Sequence, residues 1–246
     1  MTELTGKRAL VTGASRGIGA AIALALADKG ADVAITYERS ADRAAEVMRA
    51  IEAKGRRGVA IQADSADPAA VKRSVDEAAN SLGGLDILVN NAGIARGGLV
   101  AEQSLADIDA LLAVNIRAVV LASQAAIAHL PDGGRIISIG SGLAERVPFG
   151  GVTVYSMTKS ALLSFNRGLA RELGPRGITV NLVHPGSTDT EMNPADGETA
   201  DAQLAGIALG HFGKPEDIAA AVAFLAGPGA RQITGTSITV DGGAIA

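Results

Sequence analysis

Tyr155 and Lys159 stand four residues apart in a stretch of helical periodicity, so both side chains project from one face of a helix. A free phenol has a pKa of about 10 and is almost wholly protonated near neutrality. An ammonium within ~4–6 Å favours the phenolate and brings the group toward the range where a general acid/base works. The expectation is a Tyr155 phenol whose pKa is lowered by Lys159. Ser141, in the run Gly140-Ser141-Gly142, offers a hydroxyl able to hold the same substrate oxygen. Asn115 lies inside an otherwise apolar helical stretch, where Asn is a poor helix former and marks a kink. Each has an ordinary alternative: surface decoration for the Tyr-Lys pair, a turn residue for Ser141, a solvated or capped polar residue for Asn115.

A second constellation changes those odds. An apolar run ends in Thr12-Gly13-Ala14-Ser15-Arg16-Gly17-Ile18-Gly19, and a helical pattern follows. Glycines at 13, 17 and 19 permit a tight turn and close backbone approach, and the helix start offers free N–H groups to a pyrophosphate. The spacing is G-x-x-x-G-x-G, not the common G-x-G-x-x-G. Where a second strand ends, an NAD site places an acid for the ribose 2′-hydroxyl. This chain has Tyr37 there, followed by Glu38, Arg39 and Ser40. Arg16, Arg39 and Ser40 can all reach a 2′-phosphate, while Glu38 either repels it or turns to solvent. NADP(H) is therefore the preferred cofactor, with NAD(H) possible.

The elements that must position these groups alternate. Short β-branched runs at 8–12, 32–36, 58–62, 86–90, 135–140, 179–183 and 237–240 read as strands, several apolar throughout, as in parallel strands covered on both faces. Helical patterns at 17–29, 40–54, 68–82, 104–129, 153–173 and 215–226 lie between them, with Pro68 and Pro215 as first helical residues. The expectation is an α/β fold, one doubly wound domain with a parallel sheet over 1–246. The stretch 187–210 interrupts the alternation and reads as a surface loop or a mobile lid.

Composition narrows the function class. The 246 residues include no cysteine, which excludes disulfides, thiolate metal sites and cysteine nucleophiles. A formal net charge of −4 argues against general nucleic-acid binding, which needs clustered Lys and Arg. The polar start and the lack of an uninterrupted apolar run of ~18 residues predict no secretory signal, no membrane span and a cytoplasmic location. His129, His184 and His211 have no metal-ligand spacing and read as structural; no metal is expected. Gly140-Ser141-Gly142 is not a nucleophile elbow.

Taken together, the turn at 12–19, Asn90-Asn91-Ala92-Gly93, Asn115, Ser141, Tyr155-Ser156-Met157-Thr158-Lys159, Pro185-Gly186 and the closing Asp241-Gly242-Gly243 resemble the short-chain dehydrogenase/reductase family along essentially the whole chain. The likeness is greatest to its 3-oxoacyl-carrier-protein-reductase-like branch. The stretches 144–149 and 190–197 resemble a subgroup of promiscuous carbonyl reductases that includes biofilm-dispersal proteins. Ser141 departs from the family pattern, standing 14 residues before Tyr155 where about 13 is usual.

The resemblance implies a single Rossmann-like domain with a seven-stranded parallel sheet flanked by helices, a homotetramer, and a small carbonyl or alcohol substrate reduced or oxidised through NADP(H). It implies that Tyr155 exchanges a proton with the substrate oxygen, Ser141 holds that oxygen, Lys159 also binds the nicotinamide ribose, and Asn115 holds a water linking Lys159 to solvent. Asp64 and Ser65 would border the adenine, Asn91, Ala92 and Gly93 the adenine ribose, and Pro185, Gly186, Thr188 and Thr190 the nicotinamide side. Met192 and Phe149 line the substrate pocket or merely pack there. An alternative of another class is a regulator that keeps the fold but sequesters a cyclic dinucleotide.

Overall fold

A computed structural model describes residues 3–246; the first two residues of the expected 1–246 domain, and with them the opening of the polar N-terminal stretch, lie outside the described residues. Seven strands form one sheet: β1 (Arg8–Val11), β2 (Asp32–Tyr37), β3 (Gly58–Gln62), β4 (Ile87–Asn90), β5 (Arg135–Ile139), β6 (Thr179–Pro185) and β7 (Ser237–Val240). Every pairing is parallel and the order is β3-β2-β1-β4-β5-β6-β7. The order reverses beside β1, which lies between β2 and β4. In such open sheets that reversal opens a crevice at the carboxyl ends of the strands.

Alternation along the strands explains the two layers. Ala9, Val11, Ile87, Val89, Ile137 and Ile139 face one side, where they pack with α1 (Gly17–Asp28) and α8 (Pro215–Ala226). Leu10, Leu88 and Ile136 face the other, against α3 (Pro68–Leu82), α5 (Ala118–Ile127) and α6 (Thr153–Leu173). α2 (Ala41–Glu52) flanks β2 and β3. The alanines of α1 and α8 are short enough for the two helices to pack directly together. Asp67 caps α3 by accepting from the Ala69 N–H at 2.8 Å, and Pro68 follows it. Pro215 likewise opens α8, where Asp217 accepts from the Lys214 N–H at 2.7 Å.

The helical pattern expected over 104–129 is not one regular helix. It comprises α4 (Leu105–Leu112), a π turn at Ala113–Arg117 containing Asn115, and α5. Leu105–Ile127 is by length and composition apolar enough to cross a membrane, with a mean hydropathy of 1.8 over its most apolar window, but half of that window is buried and Asp107, Asp109 and Arg117 interrupt the stretch. Its Ala118, Ala122 and Ala126 pack in the core beneath the sheet. β6 runs two residues further than expected, to Pro185, and is buried along its whole length. The irregular stretch after it holds one short helix, α7 (Ala200–Leu204).

Candidate functional site

Of the residues singled out for the nucleotide, Tyr155 and Lys159 lie on α6, and the others lie at or just beyond the carboxyl ends of strands β1 to β4 and β6. Gly13, Ser15 and Arg16 form the turn after β1, and Gly17, Ile18 and Gly19 open α1. Tyr37 ends β2, with Arg39 and Ser40 between it and α2; Asp64 and Ser65 follow β3; Asn91, Ala92 and Gly93 follow β4. Pro185 ends β6, and Gly186, Thr188 and Thr190 lead into the long loop.

The turn is built by hydrogen bonds that sequence reading did not assign. Thr12 Oγ1 accepts from the N–H groups of Asn91 and Ala92, both at 3.0 Å. The Asn91 amide donates to the carbonyls of Thr12 and Gly13 at 2.9 and 3.0 Å. Thr36 Oγ1 accepts from the Gly13 N–H at 2.9 Å. The ends of β1, β2 and β4 are thus tied into one cradle. Only glycine fits two of its positions. A Cβ on Gly13, whose φ is +62°, would stand 2.9 Å from Ala92 Cα, and one on Gly19 would stand 2.5 Å from the Asn91 amide nitrogen.

The second half of the site comes from β5, the loop after β4, and α6. The Lys159 ammonium is buried, lies 5.9 Å from the Tyr155 ring centroid and donates to the Ile139 carbonyl at 3.0 Å. The Ser141 hydroxyl hydrogen-bonds the Tyr155 phenol and draws its pKa down, but burial outweighs this and the phenol sits above its ordinary value. The expectation of a lowered phenol pKa is therefore corrected: Lys159 directs its donor to a backbone carbonyl, and desolvation dominates. Burial also lowers Lys159, to about 8.

The extra residue between Ser141 and Tyr155 does not prevent their meeting. A 3₁₀ turn at Gly142–Ala144 takes up chain after Ser141, and Ser160 Oγ donates to the Ala144 carbonyl at 2.6 Å, fixing that turn on α6. Asn115 acts as a strut. Its Oδ1 accepts from the Ile94 N–H at 2.9 Å, and its Nδ2 donates to the Ile94 carbonyl at 2.9 Å and to Thr158 Oγ1 at 3.1 Å. A Cβ on Gly93 would lie 3.4 Å from both Lys159 Nζ and Asn115 Oδ1, so Gly93 leaves the space over these two groups clear.

Two positioning contacts escaped the sequence. His184 is fully buried and its Nδ1 accepts from the Ser141 N–H at 3.0 Å, which places the ring proton on Nε2, 3.7 Å from Glu145. Its neighbour must be Gly140, because a Cβ there would stand 2.3 Å from His184 Nδ1. Glu191, in the loop after β6, is ion-paired with Arg16 at 3.1 Å and with Arg43 in the first turn of α2. The hydrogen bond from Arg43 is the main reason its carboxyl titrates below the usual range, with Arg16 adding to the effect. A pair separated by 148 residues leaves no trace in local spacing. Arg39 is 88% exposed and paired with its neighbour Glu38 at 2.8 Å.

A glycine-lined cradle with free helix N–H groups and a guanidinium at its mouth fits the diphosphate of a dinucleotide, and the Tyr155–Ser141–Lys159 cluster fits acid/base chemistry at an oxygen. Comparison with known proteins agrees with that geometry. A family model described as enoyl-(acyl carrier protein) reductase matches residues 13–244. A short-chain dehydrogenase from Burkholderia cenocepacia J2315, solved in complex with NADP, is 64% identical, covers 99% of this chain and 100% of its own, and superposes with a TM-score of 0.98. The cyclic-di-GMP-binding biofilm dispersal mediator protein of Escherichia coli (strain K12) is 45% identical over 98% of both chains. The 3-oxoacyl-(acyl-carrier-protein) reductase FabG of Staphylococcus aureus is 42% identical over 96% of this chain and 97% of its own. With sheet, turn and sequence similar over nearly its whole length, the chain belongs to the short-chain dehydrogenase/reductase family of oxidoreductases.

Proposed function

We propose that the protein interconverts a ketone and a secondary alcohol, using NADP(H), with Tyr155 as the acid/base. The observation that carries this reading is the convergence of the Tyr155 phenol, the Ser141 hydroxyl and the buried Lys159 ammonium beside a phosphate-binding turn. Tyr37 in place of an acid, with Arg16 and Arg43 close by, supports the phosphorylated cofactor, as does the NADP held by the Burkholderia relative. When bound, a nicotinamide dinucleotide supplies the hydride.

The chain's own residues do the rest. Ser141 donates a hydrogen bond to the carbonyl oxygen and fixes it beside the phenol. Tyr155 gives that oxygen its proton, and the buried Lys159 ammonium stands 5.9 Å from the ring that is left with the charge. A phenol held above its ordinary pKa is protonated at neutral pH, which is the form that carbonyl reduction needs. Exposed Leu99, Val100, Val147, Phe149 and Met192, on the loops after β4, β5 and β6, favour an apolar carbonyl compound.

NADPH oxidation should be followed against a panel of ketones, β-keto esters and 3-oxoacyl thioesters. Tyr155→Phe is expected to bind NADPH normally and to lose turnover by roughly 10²-fold or more; a kcat near wild type refutes the assignment. The similarity to the biofilm dispersal mediator supports a second reading, a regulator that sequesters a cyclic dinucleotide. Calorimetric binding of cyclic di-GMP, with no turnover of any carbonyl in the panel, would put that reading in place of the first.

A further inference from the structure

The Glu191 carboxylate lies between two guanidiniums that belong to different parts of the nucleotide side of the molecule. Arg16 is the residue preceding α1, at the phosphate turn; Arg43 is in the first turn of α2, just beyond the end of β2. Thr190, next to Glu191, lies over the start of α1, with its Cγ2 3.6 Å from where a Cβ on Gly17 would stand. The segment carrying Glu191 is itself organised. Ser187 and Asn193 both donate to the Gln203 side chain, at 2.6 and 3.0 Å, and Gln203 donates back to Asn193 at 2.8 Å. Glu191 is therefore presented to the two arginines by a braced loop.

An oxyanion gripped by two guanidiniums, between the start of α1 and the end of β2, occupies the place where a dinucleotide's 2′-substituent is read. A carboxylate there uses the same donors a phosphate would use. All three side chains are about half exposed, and exposed ion pairs of this kind stabilise little, so a phosphate dianion can displace the carboxylate. Glu38 already pairs with Arg39, which leaves Arg16 and Arg43 as the contested cations.

We propose that Glu191 is an internal competitor for the cofactor's 2′-phosphate: its carboxylate holds the Arg16 and Arg43 guanidiniums that the phosphate takes on binding, and so limits the preference for the phosphorylated dinucleotide. The inference rests on the NADP(H) reading above. It assigns to a residue of the loop after β6 a part in cofactor selectivity that the turn and the end of β2 do not explain alone.

The test is fluorescence titration of NADPH and NADH at fixed ionic strength, for wild type and Glu191→Gln. The variant is expected to bind NADPH about three- to tenfold more tightly, with NADH changed by less than about twofold. Calorimetry with adenosine 2′,5′-bisphosphate should show the same gain, and ADP none. The NADH arm also controls for any damage to the fold. If wild type prefers NADPH but the variant binds it equally or more weakly, the role of Glu191 is overturned and the cofactor assignment stands. Equal shifts for both dinucleotides overturn it too, since they report a general effect of the loop. Equal binding of NADH and NADPH by wild type and by the variant alike overturns both.

Discussion

Lys159 is the residue at which the physics is most exposed. Burial lowers its pKa from 10.5 to about 8, so the folded state gives up a proton that the unfolded chain keeps between those values. Stability contributed by this group is therefore lowest below pH 8 and rises as pH climbs toward 10.5, by roughly 3 kcal/mol in all. Urea unfolding of wild type and Lys159→Met across pH 7–11 should show wild type gaining on the variant through that window; parallel curves count against a buried ammonium. The Tyr-Lys spacing was readable because i,i+4 geometry is local. The direction of the Tyr155 shift was not, because it depends on how much protein covers the phenol and on Lys159 finding the Ile139 carbonyl, and neither is written in the spacing. His184, read as structural, does hold structure, but its partner is the Ser141 N–H in the loop after β5.

Among the elements, the strands and most helices were legible because apolar runs, caps and prolines are local signals; Asp67-Pro68 is one such. The π turn was legible only as a kink at Asn115, because the choice of turn is made by the Ile94 and Thr158 partners that Asn115 meets across the fold. The phosphate turn was legible in its glycines and not in Thr12, Thr36 and the Asn91 amide, whose bonds join three strands. That packing makes a sharp prediction. In Gly19→Ala the new methyl meets the Asn91 amide at 2.5 Å and the Gly13 carbonyl at 2.7 Å, and a backbone carbonyl cannot swing aside. Overpacking of this kind costs about 1–3 kcal/mol. The urea midpoint should fall accordingly and NADPH should bind more weakly; an unchanged midpoint would mean that the turn has slack.

At the scale of the whole molecule, alternation of strand and helix predicted a doubly wound parallel sheet and the family resemblance its seven strands, and the strand order brings positions as distant as Gly13 and Tyr155 to one edge. Pairing across that edge remained unreadable, including Glu191 with Arg43 and His184 with the loop of Ser141. The second of these gives the folded state an acid limit. The His184 pKa lies below 6.5, chiefly through desolvation, so the unfolded chain takes up a proton there before the native one does. Its contribution to stability is full above pH 6.5 and drains away as the solution is acidified below that value. The melting temperature of His184→Gln should accordingly fall less than that of wild type between pH 7.5 and 5, and an equal fall would dismiss the imidazole as the cause. A proton arriving at Nδ1 would set two donors against each other at Ser141, so the loop that carries the serine keeps its seat only while this imidazole stays neutral, a state that desolvation itself protects.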